Sequence, residues 1–341
     1  MRFMWNKNNL QVFLSLTNLC NANCPQCNRT NESKLKAWDN LPLVDWSIDQ
    51  FKKAFPKKVL KHIKLIKFCG TWGDPLMCKD LLKIVEYVIF NSKTHININT
   101  NGSLRNDDFW WELGCIGQKR LRVTFDIDGI NQEMHSKYRV NTFLDKILDN
   151  MLVFTQTPAI TYTQTIVFKH NQNYLKEIKE LCFEHGSIHH DNTVSNRFIG
   201  DKFEYKDGIL EKAVFDKNIK TRPTVGSKRT ECVKCSWAED NIININPDGS
   251  VMPCCFIDTR YYEYKYKFGP LANEHHLFKH STITEYIEED HNVFKHSLID
   301  IIDNSKYLNK TLPRDIKEKP YSACIKNCSV IRGDLAEQKI N

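Results

Sequence analysis

The stretch "LCNANCPQCNRT", residues 19–30, sets Cys20, Cys24 and Cys27 within eight positions, directly after the apolar run "QVFLSL". Three thiolates on one short loop can hold a metal group, but they leave a tetrahedral zinc site one ligand short. On a 4Fe-4S cluster the same three would leave one iron open to a non-protein ligand. Zinc completed by a distant histidine, or three unrelated buried cysteines, are the competing readings.

Six more cysteines gather downstream. "CVKCSW" carries Cys232 and Cys235, "NPDGSVMPCCF" carries Cys254 and Cys255, and "CIKNC" carries Cys324 and Cys328. The turn "NPDG" between the apolar runs "IINI" and "VMPCCF" signals a hairpin whose second strand leads into Cys254 and Cys255. By residue type alone this set suits a zinc ribbon as well as an iron–sulfur site. Cys182 falls on the apolar face of a helix and reads as core, Cys69 and Cys78 read as packing, and Cys115 carries no signal. The pairs His189-His190 and His275-His276 lie in polar segments and read as solvated.

Composition bounds the rest. A chain of 341 residues, 41% hydrophobic and 26% charged, is globular and long enough for one large domain and one smaller one. No run approaches the ~18 apolar residues a membrane span needs, and the first 16 residues lack the pattern of a signal peptide. A cytoplasmic location is therefore expected, where an odd number of cysteines, thirteen, reads as ligands and core rather than a disulfide framework. The net charge is +7, with Lys and Arg read as spread along the chain and interleaved with acids, which argues against a nucleic-acid partner.

Strand-like runs at 11–16, 63–68, 95–99, 121–126, 160–168 and 192–198 alternate with helical periodicity at 47–55, 81–90, 107–113, 143–154 and 174–184. Such alternation predicts a parallel sheet with right-handed crossovers and ligands at the carboxyl ends of its strands. The cysteine loop, "CGTWGDP" (69–75), "NTNGS" (99–103) and "DIDG" (126–129) all follow predicted strands and share that edge. Gly73 would let backbone approach a ligand closely and Pro75 would stiffen the turn. Asp126 at a strand end suits ribose hydroxyls, and Arg139 suits a carboxylate or a plain salt bridge.

These motifs resemble those of the radical S-adenosylmethionine (radical SAM) superfamily across most of residues 11–200. "CNANCPQC" matches its C-x3-C-x2-C motif, "TWGDP" its G-G-E-P segment, "NTNGS" its T-N-G element, and "VTFDIDGINQEMHSKYR" its S-x-D-G and later H-x3-R pattern. Gln26 departs from the aromatic residue often found before the third cysteine, and Asp74 stands where the family has glutamate. The resemblance implies a partial (β/α)6 TIM-like barrel of α/β class. It also implies a cluster on Cys20, Cys24 and Cys27 whose open iron is chelated by SAM, and SAM contacts from Gly73, Asp74, Pro75, Thr100, Asn101, Asp126 and Arg139. "NPDGSVMPCC" is similar to the hairpin of the SPASM and Twitch extensions. That similarity implies a small C-terminal β-hairpin/α domain with one auxiliary 4Fe-4S cluster. Cys254, Cys324 and Cys328 lead as its ligands, Cys232 and Cys235 compete for the fourth place, and Cys255 is a spare.

The expected organisation is a core at 1–200, a linker at 201–228, an auxiliary-cluster domain at 229–330 and a polar tail at 331–341. The resemblance implies reductive cleavage of SAM to a 5'-deoxyadenosyl radical that takes hydrogen from a substrate carbon, with an external one-electron reductant such as flavodoxin or ferredoxin. A single auxiliary cluster tilts the substrate toward a small metabolite of sugar or nucleotide type; the alternative is a peptide-modifying maturase. Only 19 residues precede Cys20, so a leader-binding module would be a separate protein. An iron–sulfur electron carrier or a zinc-binding module would leave the loops at 71–75 and 99–103, or the strand–helix repeat, unexplained. No catalytic side chain is assigned.

Overall fold

Alternating periodicity folds as the strand–helix rule requires. The computed structural model describes residues 5–69, 71–195, 197–214, 232–262, 265, 266 and 279–330. The chain packs as two units, one of residues 14–219 and one of 1–13 with 220–341.

The larger unit holds strands β2 (Ile63–Phe68), β3 (His95–Thr100), β4 (Leu121–Asp126), β5 (Ile160–Val167) and β6 (His190–Val194), side by side and all parallel. Strand β1 (Leu10–Leu14) enters the unit at Leu14, whose carbonyl accepts from the Cys69 amide at 3.2 Å, just past β2. Helices α1 (Ile48–Ala54), α2 (Leu81–Asn91), α3 (Asp107–Gly117), α4 (Gln132–Ser136), α5 (Leu144–Thr155) and α6 (Leu175–Glu184) fill the crossovers. This is the parallel α/β sheet that the alternation predicts, in the α/β class that the resemblance implies.

Local signals set the element ends. Ser47 and Gln50 close a capping box on α1, and Asn106 caps α3 by accepting from the Phe109 amide. Gly186, at φ +84°, stops α6 in the left-handed region where a side chain would be strained. The inward faces of α2 (Leu81, Ile84, Val85, Val88, Ile89) and α5 (Leu144, Ile147, Leu148, Met151, Phe154) repeat every three or four residues, so each buries one stripe on the sheet. Trp110, Phe125 and Phe154 meet edge-on or tilted at 5.1–6.2 Å between ring centroids, locking α3 and α5 to β4.

Two features depart from the sequence reading. Residues 202–211 lie in the stretch read as a linker, yet they form a hairpin, β7 (Lys202–Tyr205) with β8 (Gly208–Glu211). Phe203, Tyr205 and Leu210 alternate inward, a period-2 pattern too short to stand out among polar neighbours. Positive charge is also not evenly dispersed. Seven lysines and no acid fall within 51–68, matching the whole net charge of +7, and Lys52, Lys53, Lys57, Lys58, Lys61 and Lys64 are exposed.

In the smaller unit, β9 (Ile242–Ile245) and β10 (Val251–Met252) pair antiparallel across "NPDG", with Gly249 at φ +84°. Helices α7 (Cys255–Tyr262), α8 (Leu298–Asn304), α9 (Leu312–Glu318) and α10 (Ser322–Cys328) follow. The N-terminal residues join this unit: the Trp5 indole donates to the Ile242 carbonyl at 2.6 Å and the Gln11 amide to the Asn241 carbonyl at 2.9 Å. Among the described residues no helix is long and apolar enough to cross a membrane.

Candidate functional site

The loop after β1 carries Cys20, Cys24 and Cys27 into the core unit, where Ala22, Cys24, Tyr138, Phe168 and Leu210 form one buried cluster with Cys20 and Cys27 packed against it. Burial, the Asp74 charge and the other two thiols push the Cys20 thiol well up. Burial also raises Cys24 to about 12 against the opposing pull of Arg139, and Cys27, Asp128 and Asp126 add to it. Binding a cationic group favours the thiolate and offsets the burial that holds Cys20 and Cys24 protonated. The donor set therefore fits an iron–sulfur cluster with one iron left for another ligand. Among the described residues no three His, Cys, Asp or Glu side chains converge on a point for a single ion; a cubane carries its thiolates on separate irons and does not need that convergence.

Asp74 is the hub of the neighbouring loops. Its buried carboxylate accepts from the Leu76 amide (2.9 Å), the Thr100 hydroxyl (2.8 and 2.9 Å), the Asn101 amide (2.9 Å) and the Asn101 side chain (2.7 Å). Burial lifts its pKa to about 6 even against those donors. Asn101 also reaches the Asn21 side chain at 2.9 Å and Cys20 Sγ at 4.0 Å, and Asn21 donates to the Ser103 hydroxyl at 3.0 Å. This carboxylate thus ties together the loops after β2 and β3, and the Asn101 side chain extends the network to the loop after β1. Thr100 and Asn101 are spent on the same network, whose turn is held from below by Asn150 on α5, donating to the Gly102 carbonyl at 2.7 Å.

Gly73 allows a close approach, but of the protein's own backbone. A Cβ there would sit 2.4 Å from the Thr17 carbonyl oxygen and 2.6 Å from that of Leu19. Pro75 begins a short 3-10 turn whose cap is Asp74.

Asp126 and Asp128 flank Arg139. The guanidinium meets Asp126 at 2.8 Å and Asp128 at 2.5 Å, and its Nη2 is buried with no partner among the described residues. Asp126 further accepts from the Gln164 side chain at 2.5 Å. Arg139 is therefore a buried ion-pair centre beside Cys24, with one free donor edge. Sequence reasoning gave no role to Asp128 or His135. The D-x-D spacing was the available signal, since alternate residues of an extended strand share a side. His135 is fully buried: its Nδ1 accepts from the Asp128 amide (3.2 Å) while its Nε2 bonds Thr142 Oγ1 (2.9 Å), which itself donates to the Arg139 carbonyl. That fixes a neutral ring, and burial, helped by Arg139, pushes its pKa down to about 3.

In the smaller unit, Cys235, Cys254, Cys324 and Cys328 line one apolar cavity with Trp237, Pro253, Phe256 and Leu312. Cys324 and Cys328 are four apart on α10 and so share a face. Cys254 is raised by burial, then by Cys255, Cys324 and Cys235; Cys324 is raised to about 12 by burial, Cys328 and Cys235. Cys255 opens α7 and does not line the cavity. Only the backbone of Cys232 is described, paired with Val330. Four thiols around one apolar space fit a fully ligated cluster.

Two family profiles match: "Radical SAM superfamily" over residues 14–182, and the SPASM "iron-sulfur cluster-binding domain" over 235–279. The chain belongs to the radical SAM superfamily. This radical SAM enzyme uses a 4Fe-4S cluster with SAM, and its SPASM domain carries an auxiliary iron–sulfur cluster. It is 22% identical over 282 residues to a "Probable GTP 3',8-cyclase" of Methanothermobacter thermautotrophicus, covering 74% of this chain and 87% of that one. A protein of the same description from Methanocaldococcus jannaschii is 24% identical over 182 residues, covering 51% of this chain and 55%, about half, of that relative. The fold matches Streptococcus suis SuiB bound to S-adenosylmethionine, with a TM-score of 0.59, 12% identity, and coverage of 98% of this chain and 75% of that one. It also matches native anSMEcpe with bound AdoMet, with a TM-score of 0.55, 13% identity, and coverage of 94% and 89%.

Proposed function

We propose that Cys20, Cys24 and Cys27 hold the SAM-binding cluster, that Cys235, Cys254, Cys324 and Cys328 hold a single auxiliary cluster, and that the substrate is a small metabolite of sugar or nucleotide type. When bound, the first cluster and SAM supply a 5'-deoxyadenosyl radical able to take hydrogen from a substrate carbon. The chain's own residues position that chemistry. The Asp74 network fixes the cysteine loop against the loops after β2 and β3, and Arg139 offers its free Nη2 to an anionic group such as the SAM carboxylate. With both Asp74 oxygens taken by protein donors, the SAM amino group falls to backbone carbonyls of the 71–75 turn.

The observation that carries this reading is the pairing of a three-thiol set in the core with a separate four-thiol cavity. The nucleotide preference is supported by the relatives described as cyclases of GTP, one of them aligned over 87% of its length. A peptide-modifying maturase is the alternative; the likeness to SuiB, at 12% identity, supports only the fold. A cytoplasmic setting and an external low-potential carrier complete the proposal.

Anaerobic reconstitution tests it. About eight irons per chain, and 5'-deoxyadenosine release under dithionite that rises when nucleoside triphosphates are added, are the expected results. Zinc in place of iron would end the reading; stimulation by peptides alone would move it to the maturase class.

A further inference from the structure

Lys52, Lys53, Lys57, Lys58, Lys61 and Lys64 are exposed, and none of the six makes an ion pair with a described residue. They run from α1, through the helical turn Lys57–Leu60, onto the start of β2. Strand β2 ends at Phe68, next to Leu14 and the cysteine loop, so its start lies at the opposite edge of the sheet. Six residues at about 3.3 Å each put Lys61 and Lys64 roughly 20 Å from that loop. The neighbouring strand starts add no acid: residues 91–98 and 117–124 hold Lys93, Lys119, Arg120 and Arg122. Arg120 is spent on the end of α2, donating to the carbonyls of Ile89 at 2.5 Å and Ser92 at 2.7 Å, and Arg122 lies over the Tyr162 ring at 4.6 Å. Lys93 and Lys119 stay exposed. Thr94 Oγ1 bonds the Leu60 and Ile63 carbonyls at 3.3 and 2.9 Å, which joins the segment of Lys93 to that of Lys61.

An aromatic ring completes the surface. Phe90, near the end of α2, is 76% exposed. It follows Tyr87 by three residues and so shares its side of the helix, and Lys52 sits over the Tyr87 ring at 5.7 Å. Glu86 is the one acid of α2 and makes no ion pair with a described residue.

We propose that this surface binds single-stranded nucleic acid, with its lysines on phosphates and Phe90 against a base. Dispersed charge argued against such a partner, but the charge is gathered here. A basic track with an aromatic platform is all that a single strand requires. A stable protein partner requires an apolar centre to the interface, and a membrane surface requires an apolar stripe. Here Phe51, Ala54, Phe55, Val59, Leu60 and Ile63 all turn inward, leaving one ring outside. Lysine is a point charge without arginine's fork, so it neutralises phosphates without reading bases, and little sequence preference is expected. At the far edge of the sheet, a bound strand leaves the cysteine loop open, so binding requires no SAM.

The test follows the fluorescence anisotropy of labelled oligouridylate and oligothymidylate, and of a DNA duplex of equal length, on the full-length reconstituted protein. The tighter of the two single strands names RNA or DNA as the source. With about four to six phosphates neutralised, single-strand affinity should fall about 50- to 300-fold between 50 and 200 mM KCl. Exchanging Lys57, Lys58, Lys61 and Lys64 together for Gln should flatten the slope of log affinity against log salt by about 3, with native iron content kept. The same exchange at Lys176, Lys179, Lys310 and Lys317, also exposed, lowers the net charge equally and should leave the slope unchanged. Phe90→Ala should weaken single-strand binding at least about fivefold and spare the duplex. Equal slopes for the two lysine variants, or a Phe90→Ala variant that binds single strands like the native protein, overturn the proposal. So does tighter binding to phosphatidylserine vesicles, which would make the partner a membrane, or to polyglutamate, which would make it an acidic protein.

Discussion

Gly73→Ala adds one methyl group where the turn after β2 meets the cysteine loop. Gly73 does not adopt a positive φ, so alanine meets no backbone penalty, and by conformational entropy alone it would stabilise the chain by about 0.4–1 kcal/mol. Crowding predicts the opposite sign. The new Cβ would lie 2.4 Å from the Thr17 oxygen, 2.6 Å from the Leu19 oxygen and 2.8 Å from Asn18 Cα, roughly 1 Å inside ordinary contact. All three atoms are backbone, and that backbone is pinned. The Asn18 amide donates to the Val44 carbonyl at 3.2 Å, the Asn18 carbonyl accepts from Arg29 at 2.8 Å, and the Leu19 carbonyl accepts from the Asp74 amide at 2.8 Å. Overpacking of about 1–3 kcal/mol and the loss of about one hydrogen bond bring the cost to about 2–4 kcal/mol. With a slope near 2 kcal/mol per molar, the urea midpoint of the cluster-free protein should fall by about 1–2 M, followed by tryptophan fluorescence. Iron bound at the first site should fall as well, because the displaced segment leads directly into Cys20. An unchanged or raised midpoint with full iron loading would refute the crowding argument.

Three further outcomes are expected. His135, neutral and buried, is held at about 3 against an ordinary 6.5, so the native state binds fewer protons and stability is lost as pH falls below 6.5. Asp74, raised from 3.8 to about 6, acts oppositely, its penalty being relieved as pH falls through 6. Urea midpoints between pH 6.5 and 5 should therefore slope more steeply downward toward acid in Asp74→Asn than in the native chain, and less steeply in a His135→Gln variant. Alanine at Cys235, Cys254, Cys324 or Cys328 should each remove about half of the iron, whereas Cys255→Ala should remove none; iron analysis after reconstitution reads both. Leu210→Ala should open the hairpin's seal over Ala22 and Cys24 and hasten loss of the first cluster's visible absorbance in air, with the second cluster unaffected; equal bleaching rates would deny the hairpin a shielding role.

The strands and long helices between residues 48 and 184 were legible because each obeys one period, whereas α7 to α10 of the smaller unit were not read from the sequence. The hairpin at 202–211 was not, because its two strands are four residues each and every second side chain is solvated. Cysteine spacing marked both sets of thiols. It could not choose between Cys232 and Cys235, because the ligand set depends on which side chains the fold brings to one cavity from as far as 89 positions apart, Cys235 to Cys324.

The polar motif residues show why a motif is easier to find than to interpret. Asp74, Thr100 and Asn101 read naturally as groups waiting for a ligand, since each follows a strand at the functional edge. In the folded chain they satisfy one another, and Gly73 makes room for residues 17–19. A buried carboxylate that collects donors from two loops sets the spacing between them to within a hydrogen-bond length, and with it the position of Cys20. Residue identity at these places is then demanded by loop-to-loop geometry before any cofactor binds. Two buried donors near the opening loop have no hydrogen-bond partner among the described residues, Arg139 at Nη2 and Gln26 at Nε2. Both sit next to a cysteine of the opening loop, one in space and one in sequence, and neither vacancy could be seen without counting every hydrogen bond around it.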